Sequence, residues 1–344
     1  MPSESPFCYL DNAATSWPKP QAVVDAMTRY YLEVGVAAGR GLSSRAAEVD
    51  RNVDLCRTEL ARLVNADPGR TIFCFNGTDG LNQAIQGLVS HGVHVVTTVL
   101  EHNSVLRPLQ HAVDALDVEL DIVGCIECEI DVNQIPERST NATRLCCVTH
   151  VSNVTGVVQP ILDIAEVCRR TGTLLLVDAC QSVGHMPIDF RQIGCDVLVS
   201  SGHKGLLGPL GTGVLCLSER AENEIRPSRF GGTGTNSESM LQPRELPFRL
   251  ETGNLNVGGL FGLLEGTRFV NEHVDDIVRH ELELNRMLTR ALKALPAITL
   301  YGCDQTHRTA VVSFNVGDLE PQTVAAILDS EFQIHVRTGF HCAP

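Results

Sequence analysis

No stretch of this 344-residue sequence approaches the roughly 20 consecutive apolar residues that span a bilayer, so no membrane-crossing helix is expected. The opening residues, Met1-Pro-Ser-Glu-Ser-Pro-Phe-Cys8, lack the basic region and apolar core of a secretory signal. Positive charge is also scarce. Lys and Arg total 27 against 41 Asp and Glu, a formal charge of −14, and no Lys/Arg run stands out. Neither a nucleic acid nor an anionic membrane is therefore an expected partner. Internal repeats and low-complexity tracts are absent. Cysteine is plentiful at 13, but metal-ligand spacing is lacking: no second pair follows Cys125-x-x-Cys128 or Cys146-Cys147. The odd total without a signal segment points to free thiols in a reducing cytoplasm, most of them small core residues.

What remains is an ordinary globular composition, 43% hydrophobic and 20% charged. The length suits one large domain and a smaller one. Apolar, β-branched runs predict strands at Thr71–Phe75, Val93–Val99, Leu120–Cys125, Arg144–Thr149, Thr173–Val177, Asp196–Ser200 and Gly213–Leu217. Helical patterns between them include Thr78–Val89, Ser104–Ala115 and Ile161–Arg170. This alternation predicts an α/β architecture, a mainly parallel sheet with helices on both faces. The Gly-, Pro- and Ser-rich stretch Arg226–Gly259 reads as long irregular loops, usually functional at that length. Beyond it a helix (Asp275–Leu295), a strand (Thr309–Val316), a helix (Pro321–Glu331) and a strand (Gln333–Arg337) suggest a smaller α+β domain.

Chemistry concentrates where strands end. Lys204 follows an apolar strand inside the turn Val197-Leu-Val-Ser-Ser-Gly-His-Lys204-Gly, and the strand Thr173-Leu-Leu-Leu-Val-Asp178 ends in a carboxylate. A lysine amine and an acid are what pyridoxal phosphate (PLP) needs: one forms a Schiff base, the other pairs with the pyridine nitrogen. Either residue alone would be an ordinary loop lysine or helix cap. Asn76-Gly-Thr78-Asp-Gly80, between a strand and a helix, offers backbone N–H groups for a phosphate. The glycines from Gly205 to Gly213 lead into a strand, which excludes a dinucleotide loop. His102 begins a helix, where it can lie over an aromatic cofactor, and Asn153 follows a strand end. A pocket at the carboxyl ends of the strands would gather all of these.

These motifs together, with Tyr9-Leu-Asp-Asn-Ala-Ala-Thr-Ser-Trp-Pro-Lys-Pro20, Glu101-His-Asn-Ser-Val-Leu-Arg-Pro108, Val148-Thr-His-Val-Ser-Asn-Val-Thr-Gly156 and Arg337-Thr-Gly-Phe-His-Cys-Ala-Pro344, resemble the class V aminotransferase family of fold-type I PLP enzymes. Within it the resemblance is to cysteine desulfurases of the group that includes selenocysteine lyases. It implies a seven-stranded sheet and three parts: an N-terminal segment (1–19) packing on the small domain, a large PLP domain (20–270) and a small C-terminal domain (271–344). It implies that Lys204 carries the cofactor and moves protons, that Asp178 pairs with the ring nitrogen, and that Gln181 and Asn153 bond the ring oxygen. His102 would stack on the ring, and Thr78, Ser201, His203 and the Gly77 backbone would hold the phosphate. Asn12, Ala13 and Arg337 would lie at the substrate, L-cysteine, and Cys342 would accept its sulfur for an acceptor protein. A homodimer is implied as well.

Two physical points accompany the resemblance. Positive charge from Arg337 and His341 would favour the Cys342 thiolate. The loss of a hydroxyl at Val257, where the family commonly has a threonine, leaves Thr235 and Asn256 as substitutes. The family pattern also continues beyond the position of Pro344, with the remainder of the small domain and an arginine for the substrate carboxylate, so the sequence reads as C-terminally shortened. Selenocysteine or cysteine-sulfinate lyase activity, another class V PLP reaction such as an epimerase or transaminase (disfavoured by Cys342, since these need no thiol), and a PLP-binding but impaired subunit are the alternative readings.

Overall fold

A computed structural model describes residues 7–235, 238–302 and 304–343. Residues 1–6 of the N-terminal segment and Pro344 of the terminal motif lie outside the described residues. The strands are β1 (Cys8–Tyr9), β2 (Thr71–Cys74), β3 (His94–Thr98), β4 (Glu119–Val123), β5 (Cys125–Ile126), β6 (Glu129–Ile130), β7 (Thr143–Thr149), β8 (Leu174–Asp178), β9 (Val197–Ser201), β10 (Gly213–Leu217), β11 (Ile298–Tyr301), β12 (Ser313–Val316) and β13 (Ile334–His335). The α-helices are α1 (Gln21–Arg29), α2 (Ser44–Leu63), α3 (Gly77–Leu88), α4 (Asn103–Leu116), α5 (Gln134–Arg138), α6 (Ile161–Thr171), α7 (Phe190–Ile193), α8 (Glu219–Glu224), α9 (Val257–Lys293) and α10 (Pro321–Phe332).

Seven strands form the main sheet in the order β2-β10-β9-β8-β7-β3-β4. Neighbours from β9 through β4 are parallel, and β10 is antiparallel to both β2 and β9. Side chains alternate across a strand, so a strand buried on both faces must be apolar at every position. In β8, Leu175 and Val177 enter one core with α2, α6 and the start of α9, while Leu174 and Leu176 enter a second core with α3 and α4. The same alternation separates the adjacent thiols Cys146 and Cys147 of β7, one into each core, where both remain free.

Helix α9 starts earlier than its periodicity suggests, at Val257 rather than Asp275, and runs for 37 residues, about 55 Å at 1.5 Å per residue. Its first turns are glycine-rich, which reads as loop in sequence but permits close packing: a Cβ at Gly266 would stand 2.5 Å from the Leu206 carbonyl oxygen. Asn256 caps the helix by accepting from Gly259 N at 3.1 Å, and its amide donates to Gly211 O at 3.0 Å. Its side chain is thus engaged within its own subunit. The expected strand Thr309–Val316 shortens to Ser313–Val316, pairing antiparallel with β11, which its pattern did not announce. The chain start returns to this region: β1 lies parallel to β13, Cys8 opposite Ile334 and Tyr9 opposite His335. Among the described residues no helix is long and apolar enough to cross a membrane.

Candidate active site

Because β2, β3, β7, β8 and β9 all run the same way, the residues that follow them meet along one sheet edge. There Gly77, Thr78, His102, Asn153, Asp178, Gln181, Ser201, His203 and Lys204 line a cavity of about 190 Å³. A larger cavity, about 640 Å³, lies between the second half of α9 and residues 305–310, but the convergent polar groups are not in it. The small cavity is the site to which the chemistry points.

One wall is the start of α3. Asn76 caps the helix by accepting from Asp79 N at 2.8 Å, Gly77 N donates to Ser201 Oγ at 2.9 Å, and Thr78 Oγ1 lies 2.7 Å from Ser104 Oγ. A helix N-terminus lined with hydroxyls suits an anion. Glycine is required at 77 by contact: an added Cβ would stand 2.3 Å from Cys180 Sγ and 3.0 Å from Ser201 Oγ. His203, beside this wall, keeps a buried Nδ1 that has no hydrogen-bond partner among the described residues. Burial, then the charges of Lys204 and Lys19, push its pKa down to about 4, so the ring is neutral.

His102 caps α4. Its Nδ1 accepts from Ser104 N at 3.0 Å, which places the proton of the neutral ring on Nε2. Burial lowers its pKa, the Asp178 carboxylate opposes that, and Lys204, Arg337 and Arg107 add to it. Asp178 closes β8 and accepts from Cys180 N at 3.0 Å. Behind it, Glu101 is fully buried. It accepts from Thr98 Oγ1 at 2.7 Å and Thr149 N at 2.9 Å, tying the ends of β3 and β7 together. Burial, reinforced by the Asp178 charge, raises its pKa to about 8 against those two hydrogen bonds, so it is largely protonated at neutral pH.

The amides of Gln181 and Asn153 are tied to the main chain. Gln181 Nε2 donates to Ala13 O at 2.9 Å, and Asn153 Nδ2 donates to His341 O at 2.8 Å. Asn12 lies at the surface, donating to Tyr9 O at 3.2 Å and accepting from Trp17 N at 2.9 Å. The C-terminal loop reaches the cavity rim: Asn103 N donates to Cys342 O at 2.7 Å. His341 and Cys342 both adopt left-handed backbone (φ 50° and 60°), uncommon for residues with side chains. They turn the exposed thiol so that Arg337 Nη2 lies 3.5 Å from its sulfur. The sequence credits His341 with a second positive charge. Burial and Arg337 lower its pKa instead, so at neutral pH His341 adds no charge beside Cys342, whereas Arg337 does. Sequence reasoning passed over Ser104, Cys180, Glu101 and Lys19 as site residues. Ser104, Glu101 and Lys19 sat inside motifs that carry the resemblance, but nothing in the sequence places Lys19 beside the lysine turn.

An open sheet with lysine, carboxylate and a helix-terminal anion cradle at its strand ends has the fold of the fold-type I PLP-dependent transferases. The sequence profile described as Aminotransferase class-V matches residues 8–344, and the chain belongs to that family, whose members are generally PLP-dependent. It is 36% identical over 344 residues to a probable cysteine desulfurase of Methanothermobacter thermautotrophicus, covering 97% of this chain and 84% of that one. It is 35% identical to another from Pyrococcus abyssi, over 100% of this chain and 86% of that one. Among solved structures it resembles the apo cysteine desulfurase of Thermococcus onnurineus NA1, with TM-score 0.91, 34% identity and 98% and 85% coverage. The Escherichia coli cysteine desulfurase CsdA in its S-sulfonic acid form aligns with TM-score 0.88, 26% identity and the same coverages.

Proposed function

We propose that this chain is a PLP-dependent L-cysteine desulfurase, releasing L-alanine and holding the substrate's sulfur on Cys342 for a sulfur-acceptor protein. We take it to act as a cytoplasmic homodimer, with the large and small domains dividing near residue 270, inside α9. The observation that carries the reading is the meeting of two reactive groups at one rim. Lys204 and Asp178 face the cavity, and the Cys342 loop is held against that cavity by Asn103 and Asn153.

The donor set fits the cofactor. The orphaned His203 Nδ1 and the Thr78 and Ser201 hydroxyls at the head of α3 would hold the phosphate, with glycine at 77 keeping that corner free of a side chain. Lys204 Nζ would hold the group covalently, Asp178 would meet the ring nitrogen, Gln181 and Asn153 the ring oxygen, and the neutral imidazole of His102 would lie over the ring. When bound, PLP supplies an electron sink for the substrate Cα.

The chain's own groups then divide the work. Lys204 takes the proton from the substrate Cα and returns one to complete alanine. Asn12, Ala13 and Arg337 border the substrate. Arg337 stabilises negative charge on the Cys342 sulfur. That sulfur attacks the substrate's sulfur: an S–S bond forms as the substrate's Cβ–S bond breaks, and Cys342 ends as a persulfide. Atoms balance as L-cysteine plus thiol giving L-alanine plus persulfide, with no oxidant needed.

Purified protein given L-cysteine and a thiol reductant is expected to yield alanine and sulfide in equal amounts. Lys204→Ala is expected to lose its visible absorbance and both products. Products formed by Lys204→Ala at the wild-type rate would overturn the reading, as would a coloured wild-type protein that releases neither.

A further inference from the structure

The carbonyl oxygen of His203, one residue before Lys204, is the acceptor for an unusual number of donors, all from one short segment. Thr15 Oγ1 and Ser16 Oγ each donate to it at 3.1 Å, Ser16 N at 3.1 Å and Lys19 Nζ at 2.8 Å. Lys19 Nζ also donates to Ser16 Oγ at 2.7 Å, and that hydroxyl reaches Lys204 O at 3.0 Å. The ammonium is half-buried, and burial alone pushes its pKa down to about 8, with no carboxylate compensating among the described residues. A desolvated cation without an acidic partner is costly, so its place here calls for a compensating role.

The other end of the same segment leads to the second reactive group. Cys8 and Tyr9 pair with Ile334 and His335, and Leu10 N donates to His335 O at 2.9 Å, just before Arg337. Midway, Ala13 O receives the Gln181 amide. Residues 8–19 therefore form a strap fastened at one end to the strand that delivers Arg337 and Cys342, and at the other to the turn that delivers Lys204.

We infer that Lys19 is a positioning residue: it anchors this strap to the His203 carbonyl and so fixes Lys204 relative to Cys342, while its charge faces the phosphate-binding histidine. The inference rests on the proposed desulfurase reading for its consequence in catalysis, but the anchoring itself does not need the cofactor.

Two measurements on wild type, Lys19→Met and Lys19→Arg separate these levels. In cofactor-free protein, amide hydrogen exchange of peptides covering residues 200–208 and 8–14 is expected to quicken at least tenfold in Lys19→Met and to return towards wild type in Lys19→Arg, while the β7–β8 core stays protected. In PLP-loaded protein, the pH midpoint of the visible band is expected to rise in Lys19→Met, because a neighbouring positive charge has gone, and to stay in place in Lys19→Arg. Unchanged exchange in Lys19→Met overturns the anchor, and an unmoved midpoint overturns the electrostatic part. A wild-type protein that takes up no PLP would sink the desulfurase reading instead, and the exchange comparison would still decide the role of Lys19.

Discussion

Substituting Gly77 tests the phosphate cradle through packing alone. An alanine Cβ there would stand 2.3 Å from Cys180 Sγ, closer than real Cβ contacts run, and a tight 3.0 Å from Ser201 Oγ. Cys180 is buried with its sulfur against β9, so relieving the contact means turning that side chain into the cavity it lines. Overpacking of this kind costs about 1–3 kcal/mol, and the upper half applies here because Gly77 N must also keep its 2.9 Å bond to Ser201 Oγ. Cys180→Ala alone removes one buried sulfur, worth about 1 kcal/mol. In the double variant the nearest Cys180 atom to the new methyl is its Cβ, at an ordinary 3.8 Å. The two substitutions should then couple by about 1–2 kcal/mol, the double variant being less destabilised than the sum. Urea midpoints of the cofactor-free proteins measure this, and retention of visible absorbance on gel filtration reports the cradle. A Gly77→Ala protein as stable as wild type, or strict additivity in the double variant, would refute the reasoning.

Further expectations follow from buried charge. The folded protein raises the Glu101 pKa from 4.5 to about 8. Its stabilising contribution is therefore complete below pH 4.5 and is lost as pH rises through about 8, at up to about 1.4 kcal/mol per pH unit. Glu101→Gln should remove that part of the slope, so thermal midpoints of wild type and variant should diverge between about pH 5 and 8 and run parallel above it; parallel curves throughout would contradict the assignment. Arg57 and Glu251 form a two-point buried pair at 2.6 and 3.0 Å, and Glu251 also accepts from Phe73 N at 2.7 Å. Glu251→Ala should lower stability by about 3–5 kcal/mol, since it strands a buried guanidinium, which a urea midpoint will show. Arg337→Met should slow iodoacetamide labelling of Cys342 several-fold at pH 7, read by peptide mass spectrometry. An unchanged rate would remove Arg337 from that sulfur's environment.

Much of this was legible because burial dictates sequence so strictly in the central strands. A strand between two cores must be apolar throughout, which is why Leu174–Val177 announced itself, and polar residues at its end stand out against that background. The fold class, the seven main strands and the candidate site residues lining the cavity followed from such contrasts and from the family resemblance. What stayed hidden depends on tertiary contact. The glycines opening α9 lower helix propensity, and only tertiary contacts explain them: Gly258 lies against Tyr31, Gly262 against Met27 and Gly266 against the Leu206 turn. Two-residue strands such as β1 and β6 carry no periodicity at all. Lys19 looks like a loop lysine until the chain brings it to the His203 carbonyl, and His341 looks like a cation until burial and Arg337 neutralise it.

The central claim is that the substrate's sulfur passes to Cys342. Its most direct measurement is peptide mass spectrometry of PLP-loaded protein after brief exposure to L-cysteine without reductant, with alkylation to preserve persulfides. The account predicts one added sulfur atom on the peptide carrying Cys342, and none on that peptide in Cys342→Ser, which should also lose sulfide release. An added sulfur on another cysteine, or sulfide released at full rate by Cys342→Ser, would contradict it.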